Sequence, residues 1–250
     1  MGLVVGIFSA LLGLGGGIFL VPVLTLIFHL PIRVAVGTSL VGIIATSAGV
    51  SALAPRGRGA NVGLALKLEI ATTAGAILGS WLAGQIAPQI LSIIFSMVVF
   101  LTAGYVFYKG QRKVKHVMQE SLFQQDYQLK NWGPGLGFAG IAGTLAGLLG
   151  ISGGFIKVPL MYSIMGVPLG IATATSSFMV GITAAASVFV YYGRGDIHPL
   201  VAIPTALGVF VGSMVGVYIL PRIRARWLRL TLVGLLVLMG VQMLYRALAA

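Results

Sequence analysis

Two glycine clusters carry the most chemistry in this sequence. Gly13-Leu14-Gly15-Gly16-Gly17 interrupts one apolar segment and is followed by Pro22. Gly150-Ile151-Ser152-Gly153-Gly154 interrupts another and is followed by Pro159. Consecutive glycines cost about 1 kcal/mol each in a helix, and proline removes a donor from the ladder. Both segments therefore read as broken helices, with halves of about 12–15 residues, shorter than the roughly 20 a crossing needs. The helix that resumes after each break begins with unpaired N–H groups and the positive end of its dipole. Two such ends meeting inside a membrane bind an anion without a formal charge. The backbone of Gly15, Gly16, Gly17, Gly153 and Gly154 is expected to do this. The plainer reading is that glycines only let helices pack closely. It accounts for pairs such as Gly75/Gly79, but poorly for a cluster plus a proline that occurs twice.

Side chains near the breaks extend this site. Lys157 is the one charged residue well inside an apolar segment, on the first turn after Gly153-Gly154. An intramembrane cation costs a few kcal/mol unless it is paired or solvated. With no acid expected at its depth, a bound anion is its expected partner, the alternative being snorkelling to the interface. Thr38 and Thr46 share one helical face, as do Thr175 and Thr183, with Ser39 and Ser176 beside them. Their hydroxyls can donate to an oxyanion or bond their own i−4 carbonyls. Thr38, Ser39, Thr175 and Ser176, nearest the breaks, are preferred as ligands, together with Ser152. Glu69, beside Lys67 near a segment end, is expected at the interface rather than in a proton relay. The few carboxylates and the absence of cysteine argue against a metal site or a cofactor. Nothing resembles a catalytic triad, a P-loop or paired acids, so an enzyme is not expected.

The elements that must position these groups follow from composition. The chain has 250 residues, 58% hydrophobic and 8% charged, with mean hydropathy +1.04. Soluble domains carry about a quarter charged residues, so the fold class is all-α integral membrane, in one domain. Apolar segments lie near 2–28, 34–54, 64–84, 89–108, 134–165, 169–192, 199–220 and 228–248. The net charge of +12 sits mostly in short loops, which points to topology signals at a lipid bilayer and not to nucleic acid. Residues 109–132 form a polar linker, part of which has amphipathic spacing.

The halves repeat. Pro22 and Pro159, Pro31 and Pro168, Thr38 and Thr175, Gly75 and Gly212, and Gly79 and Gly216 all lie 137 positions apart. Repeat one is read as 1–108 and repeat two as 133–250, two pseudo-symmetric sets of about four helical segments with the first and fifth broken. Duplicated halves with matched breaks mark secondary transporters. With Lys157, inside the membrane, left out, Lys and Arg divide 12 to 3 across the membrane if the broken segments re-enter, against 10 to 5 if all eight cross. The first fits the positive-inside rule better and makes the repeats inverted.

The run Gly13 to Pro22 followed by Ala35-Val36-Gly37-Thr38-Ser39, and the run Gly147 to Pro159 followed by Ala172-Thr173-Ala174-Thr175-Ser176, resemble the TauE/SafE sulfite exporter family over essentially the whole chain. Ser152 departs from the first-half pattern, standing where Gly15 stands. The resemblance implies a multi-pass permease of the bacterial inner membrane for a small anionic substrate: sulfite, a sulfonate or another sulfur-containing anion. Export by alternating access is expected, and a homodimer is admitted. A carboxylate permease and a non-transporting assembly factor are the alternatives. With no buried carboxylate expected, export would be electrogenic, each charge gaining about 2.3 kcal/mol per 100 mV.

Overall fold

A computed structural model describes residues 1–12, 16–53, 60–109, 129, 131–219 and 225–249. These form helices α1 (Gly2–Leu12), α2 (Gly17–Pro22), α3 (Ile32–Leu53), α4 (Val62–Gln85), α5 (Pro88–Lys109), α6 (Trp132–Leu149), α7 (Gly154–Ser163), α8 (Leu169–Gly193), α9 (Pro199–Ile219) and α10 (Ala225–Ala249). A π-helical turn, Val23–Ile27, continues α2. No strand occurs among the described residues. Gly15 and most of the 109–132 linker, with its amphipathic spacing, lie outside them.

Local chemistry places the ends. The Asn61 side chain caps α4 by accepting from the Leu64 N–H at 2.9 Å. Pro88 and Pro199 open α5 and α9, where a missing N–H costs nothing. Pro22 stands inside the α2 run and cannot donate, and the ladder widens into the π turn directly after it.

Among the described residues, six helices are long and apolar enough to cross a membrane: α3, α4, α5, α6, α8 and α9. The apolar part of α10 is the shorter stretch Val233–Leu248. Their outer faces are greasy. Ile70, Leu101 and Leu200 are 76%, 67% and 91% exposed, which water would penalise and lipid tails accept. At 18 residues, α6 exceeds the half-helix length expected from the sequence, while α1 has 11 and α7 has 10.

The second broken segment doubles back. Gly150, at φ 64, closes α6 in the left-handed conformation that glycine takes without strain. After Ile151-Ser152-Gly153 the chain returns as α7. The Asn131 side chain, just before α6, donates to the Ile164 carbonyl just after α7 at 3.1 Å, and Met165 packs on Gly135. Both ends of this hairpin therefore lie together.

Two helix pairs are packed backbone to backbone. A Cβ on Gly75 or Gly79 of α4 would stand 2.1 Å from the Gly140 carbonyl oxygen or 2.0 Å from that of Thr144, both on α6. A Cβ on Gly212 or Gly216 of α9 would stand 2.1 Å from the Leu3 oxygen or 2.7 Å from the Ile7 oxygen, both on α1. In each pair the residue numbers rise together, so the helices run in the same direction. The Gly75/Gly79 spacing thus does serve close packing, as the plainer reading holds. Between these pairs α3 crosses α8 in the opposite sense: Gly37 lies against Tyr191, and Ser47 Oγ donates to the Ser177 carbonyl at 2.9 Å.

Candidate functional site

The two breaks touch. Gly17, the first residue of α2, lies so close to the end of α6 that a Cβ on it would be 1.9 Å from the Gly150 carbonyl oxygen. Ser39 Oγ reaches the same oxygen at 3.0 Å, and the Val36 carbonyl at 2.8 Å. Gly16 and Gly153, the residues before α2 and α7, hold positive φ values of 82 and 64, and neither helix start has a side-chain cap.

Beside the junction is a cavity of ≈ 70 Å³. Ser9, Thr46 and Ser47 line it from the first half of the chain, and Ser152, Ser176 and Ser177 from the second. Gly154 opens into it, and Val50, Val158 and Val180 close its apolar side. Gly16 lies against Ser9 Oγ and Thr46 Oγ1, so both breaks border the same space. A single water needs only about 10–15 Å³ of such space, so the volume suits several waters or one four-atom oxyanion. The lining has no carboxylate to repel an anion. The hydroxyls of Ser9, Thr46, Ser47 and Ser177 donate to the Val5, Gly42, Ser177 and Thr173 carbonyls, so each turns to an anion only by releasing that bond.

Of the residues singled out from sequence, Gly154, Ser152 and Ser176 line this cavity, Gly16 lies against two of its lining residues, and Gly17 lies against Gly150. Gly153 immediately precedes α7. Ser39 is engaged with Gly150, holding the junction. Thr175 Oγ1 accepts from the Asn61 N–H at 3.1 Å, tying α8 to the start of α4. Thr38 is fully buried, and its hydroxyl has no partner among the described residues. Sequence patterning does not single out Ser9, Ser47 or Ser177. Each stands on a face whose place in the cavity depends on a helix from the other half.

Lys157 departs from its expected partner. Its ammonium donates to Thr183 Oγ1 at 2.7 Å, and Thr183 donates to Glu69 Oε1 at 2.6 Å. The direct separation from Lys157 Nζ to Glu69 Oε2 is 3.9 Å. Glu69 also accepts from Thr72 at 2.9 Å and from Thr73 at 3.2 Å. Glu69 is 5% exposed and Lys157 1%. An acid therefore does sit at the depth of Lys157, and Glu69 faces into the bundle and not outward. The reason lies in helix phase. Glu69 shares the inner stripe of α4 with Thr72, Ala76 and Ser80, all buried, while Lys67, two residues earlier, faces outward with its ammonium 5.2 Å from the Trp132 ring. The premise for carboxylate-free coupling falls with it. Among the described residues no group of His, Asp and Glu could hold a metal ion.

A bundle of membrane-length helices with two glycine-broken segments abutting beside a part-open cavity of hydroxyl and valine side chains is the architecture of a multi-pass membrane transporter. The family model for sulfite exporter TauE/SafE matches residues 1–243, and the chain belongs to that family. It is 26% identical to the probable membrane transporter protein YunE of Bacillus subtilis (strain 168), over 98% of this chain and 95% of that protein. It is also 26% identical to a probable membrane transporter protein of Methanocaldococcus jannaschii, over 98% of this chain and 93% of that one. A sulfite exporter TauE/SafE family protein of Arabidopsis thaliana shares 36% identity, over 37% of this chain and 20% of its own length. No solved structure matches the chain.

Proposed function

We propose that this chain is a permease that carries a small sulfur-containing oxyanion, sulfite or a compact sulfonate, out of the cell across the bacterial inner membrane. The observation that carries the reading is the hydroxyl-lined cavity at the junction of the two breaks, bordered by Gly16 and Gly154. Ser152, Ser176 and the N–H groups at the start of α7 coordinate the anion. Donors without a fixed positive charge suit a ligand that must also leave.

Alternating access comes from two inverted repeats, 1–108 and 133–250, moving against each other. The packing supports this. Adding 137 to Leu3 and Ile7 on α1 gives Gly140 and Thr144 on α6, and adding 137 to Gly75 and Gly79 on α4 gives Gly212 and Gly216 on α9. The contact of α4 with α6 is thus repeated, residue for residue, by that of α9 with α1. Each repeat lends its first helix to the other. The opposed crossing of α3 and α8, which occupy equivalent places in the two halves, is what inversion requires. In this scheme α1–α2 and α6–α7 are re-entrant hairpins.

The test is binding by the purified chain in detergent, with sulfite, methanesulfonate and acetate as probes. Sulfite and methanesulfonate should stabilise the protein against heat and acetate should not, and Ser152→Ala with Ser176→Ala should abolish the difference. Stabilisation by acetate alone would overturn the sulfur-oxyanion reading.

A further inference from the structure

The Glu69–Thr183–Lys157 network joins α4, α8 and α7, yet neither charge lines the cavity. It is one-sided. The positions 137 away from Lys157, Glu69 and Thr183 are Leu20, Ala206 and Thr46, so the first half keeps only the threonine. Close packing cannot be its reason, since the equivalent places are filled without charges. Replacing such a pair by apolar groups is often neutral or stabilising.

The surroundings leave Glu69 a single buried counter-charge among the described residues. α6 carries no titratable side chain. On α8 the titratable groups are Tyr191 and Tyr192, eight or more residues beyond Thr183, about 12 Å along the helix. On α7 they are Lys157 and Tyr162. On α4 the other charge is Lys67, which is exposed and faces Trp132.

The network adjoins the cavity. Gly154 and Val158 lie close to Lys157 on α7 and line the cavity, and Val180 lines it about one turn before Thr183. Val180 in the cavity wall and Thr183, which holds the ammonium, stand about one helical turn apart on α8, so the anion and the network share one wall of the bundle. Two negative charges then share one positive charge in a buried place, and like charges that close cannot both stay ionised cheaply. We propose that binding of the anion is linked to protonation of Glu69, so that one proton travels with each anion. The proton comes from water on the side of entry, attaches to a Glu69 carboxylate oxygen, and returns to water on the side where the anion leaves. No bond to the substrate forms or breaks.

This inference rests on the permease reading and changes the voltage-driven export expected from the sequence: it removes the voltage dependence for a sulfonate and halves the charge moved for sulfite. A monovalent sulfonate would cross without net charge, and sulfite dianion with one negative charge. Outward movement would require the anion gradient to exceed the inward pull on the proton.

The experiment measures anion affinity and proton uptake together, with purified full-length chain in weakly buffered detergent. The probes are methanesulfonate, which has no titratable proton and carries the proton-uptake readout, and sulfite, which is scored for binding only because it exchanges a proton itself near neutral pH. In the wild type, about one proton should be taken up per methanesulfonate bound, and its Kd should rise up to about tenfold per pH unit. In Glu69→Gln both effects should vanish. Should that variant not fold, the double variant Lys157→Met/Glu69→Gln, which removes both charges together, is read in the same way. Methanesulfonate binding without proton uptake, or an unchanged pH slope in the Glu69 variant, overturns this inference alone. Failure of the wild type to bind either probe overturns the permease reading and this inference with it.

Discussion

Removing Lys157 alone should harm the protein more than removing Lys157 and Glu69 together. The two charged groups are 3.9 Å apart and both are buried. At an effective dielectric near 20 their attraction is about 4 kcal/mol. In Lys157→Met the carboxylate keeps its threonine donors but has no counter-charge, and breaking a buried pair in this way costs about 3–5 kcal/mol. Glu69→Gln strands the ammonium and should cost a similar amount. The double variant leaves neither charge, so its loss should fall short of the summed single losses by at least about 2 kcal/mol. Unfolding of the four proteins in mixed micelles, followed by helix content as denaturing detergent is added, gives the cycle. Additivity within about 0.5 kcal/mol would mean that the groups do not interact, and would refute the reasoning for a coupled network.

The packing makes further outcomes specific. Gly17→Ala should separate the two breaks, because its Cβ would be 1.9 Å from the Gly150 oxygen; anion binding should be lost, as measured by thermal stabilisation. Gly79→Val should push α4 from α6 and cost about 1–3 kcal/mol or more, measured by the same unfolding titration, since the oxygen facing it belongs to backbone. Ser176→Ala should weaken anion binding about tenfold or more, the loss of a hydrogen bond to a charged group, with little change in stability. Ser39→Ala should show the reverse balance in the same two assays, because Ser39 Oγ holds the Gly150 carbonyl and does not line the cavity.

The broken helices, the segment pattern and the 137-residue offset are legible in the sequence because glycine, proline and hydropathy act locally. The sequence leads one to expect two helix N-termini meeting; what touches instead is the start of α2 at Gly17 and the C-terminal carbonyl of α6 at Gly150. Which side chains line the cavity is less legible. Ser9, on α1, and Ser47, on α3, are brought beside α8 residues by long-range packing that no local pattern encodes. Glu69 is placeable from its helix phase. Its spacing from Thr72, Ala76 and Ser80 puts it on a stripe of small and polar residues, and an acid on such a stripe in a membrane helix faces the bundle. Its nearness to Lys67 in sequence points the other way, although the two lie on opposite faces of one helix. Lys157 is legible as buried, but its partner is not, because that partner stands 88 positions earlier on another helix.

Counterflow in proteoliposomes tests the central claim most directly. Vesicles holding the purified chain and loaded with unlabelled sulfite should transiently accumulate labelled sulfite from outside. The accumulation should saturate, yield to excess methanesulfonate but not acetate, and disappear in Ser152→Val/Ser176→Val. Flux no greater than that of empty vesicles, or uptake that acetate suppresses as well as methanesulfonate does, would contradict the account.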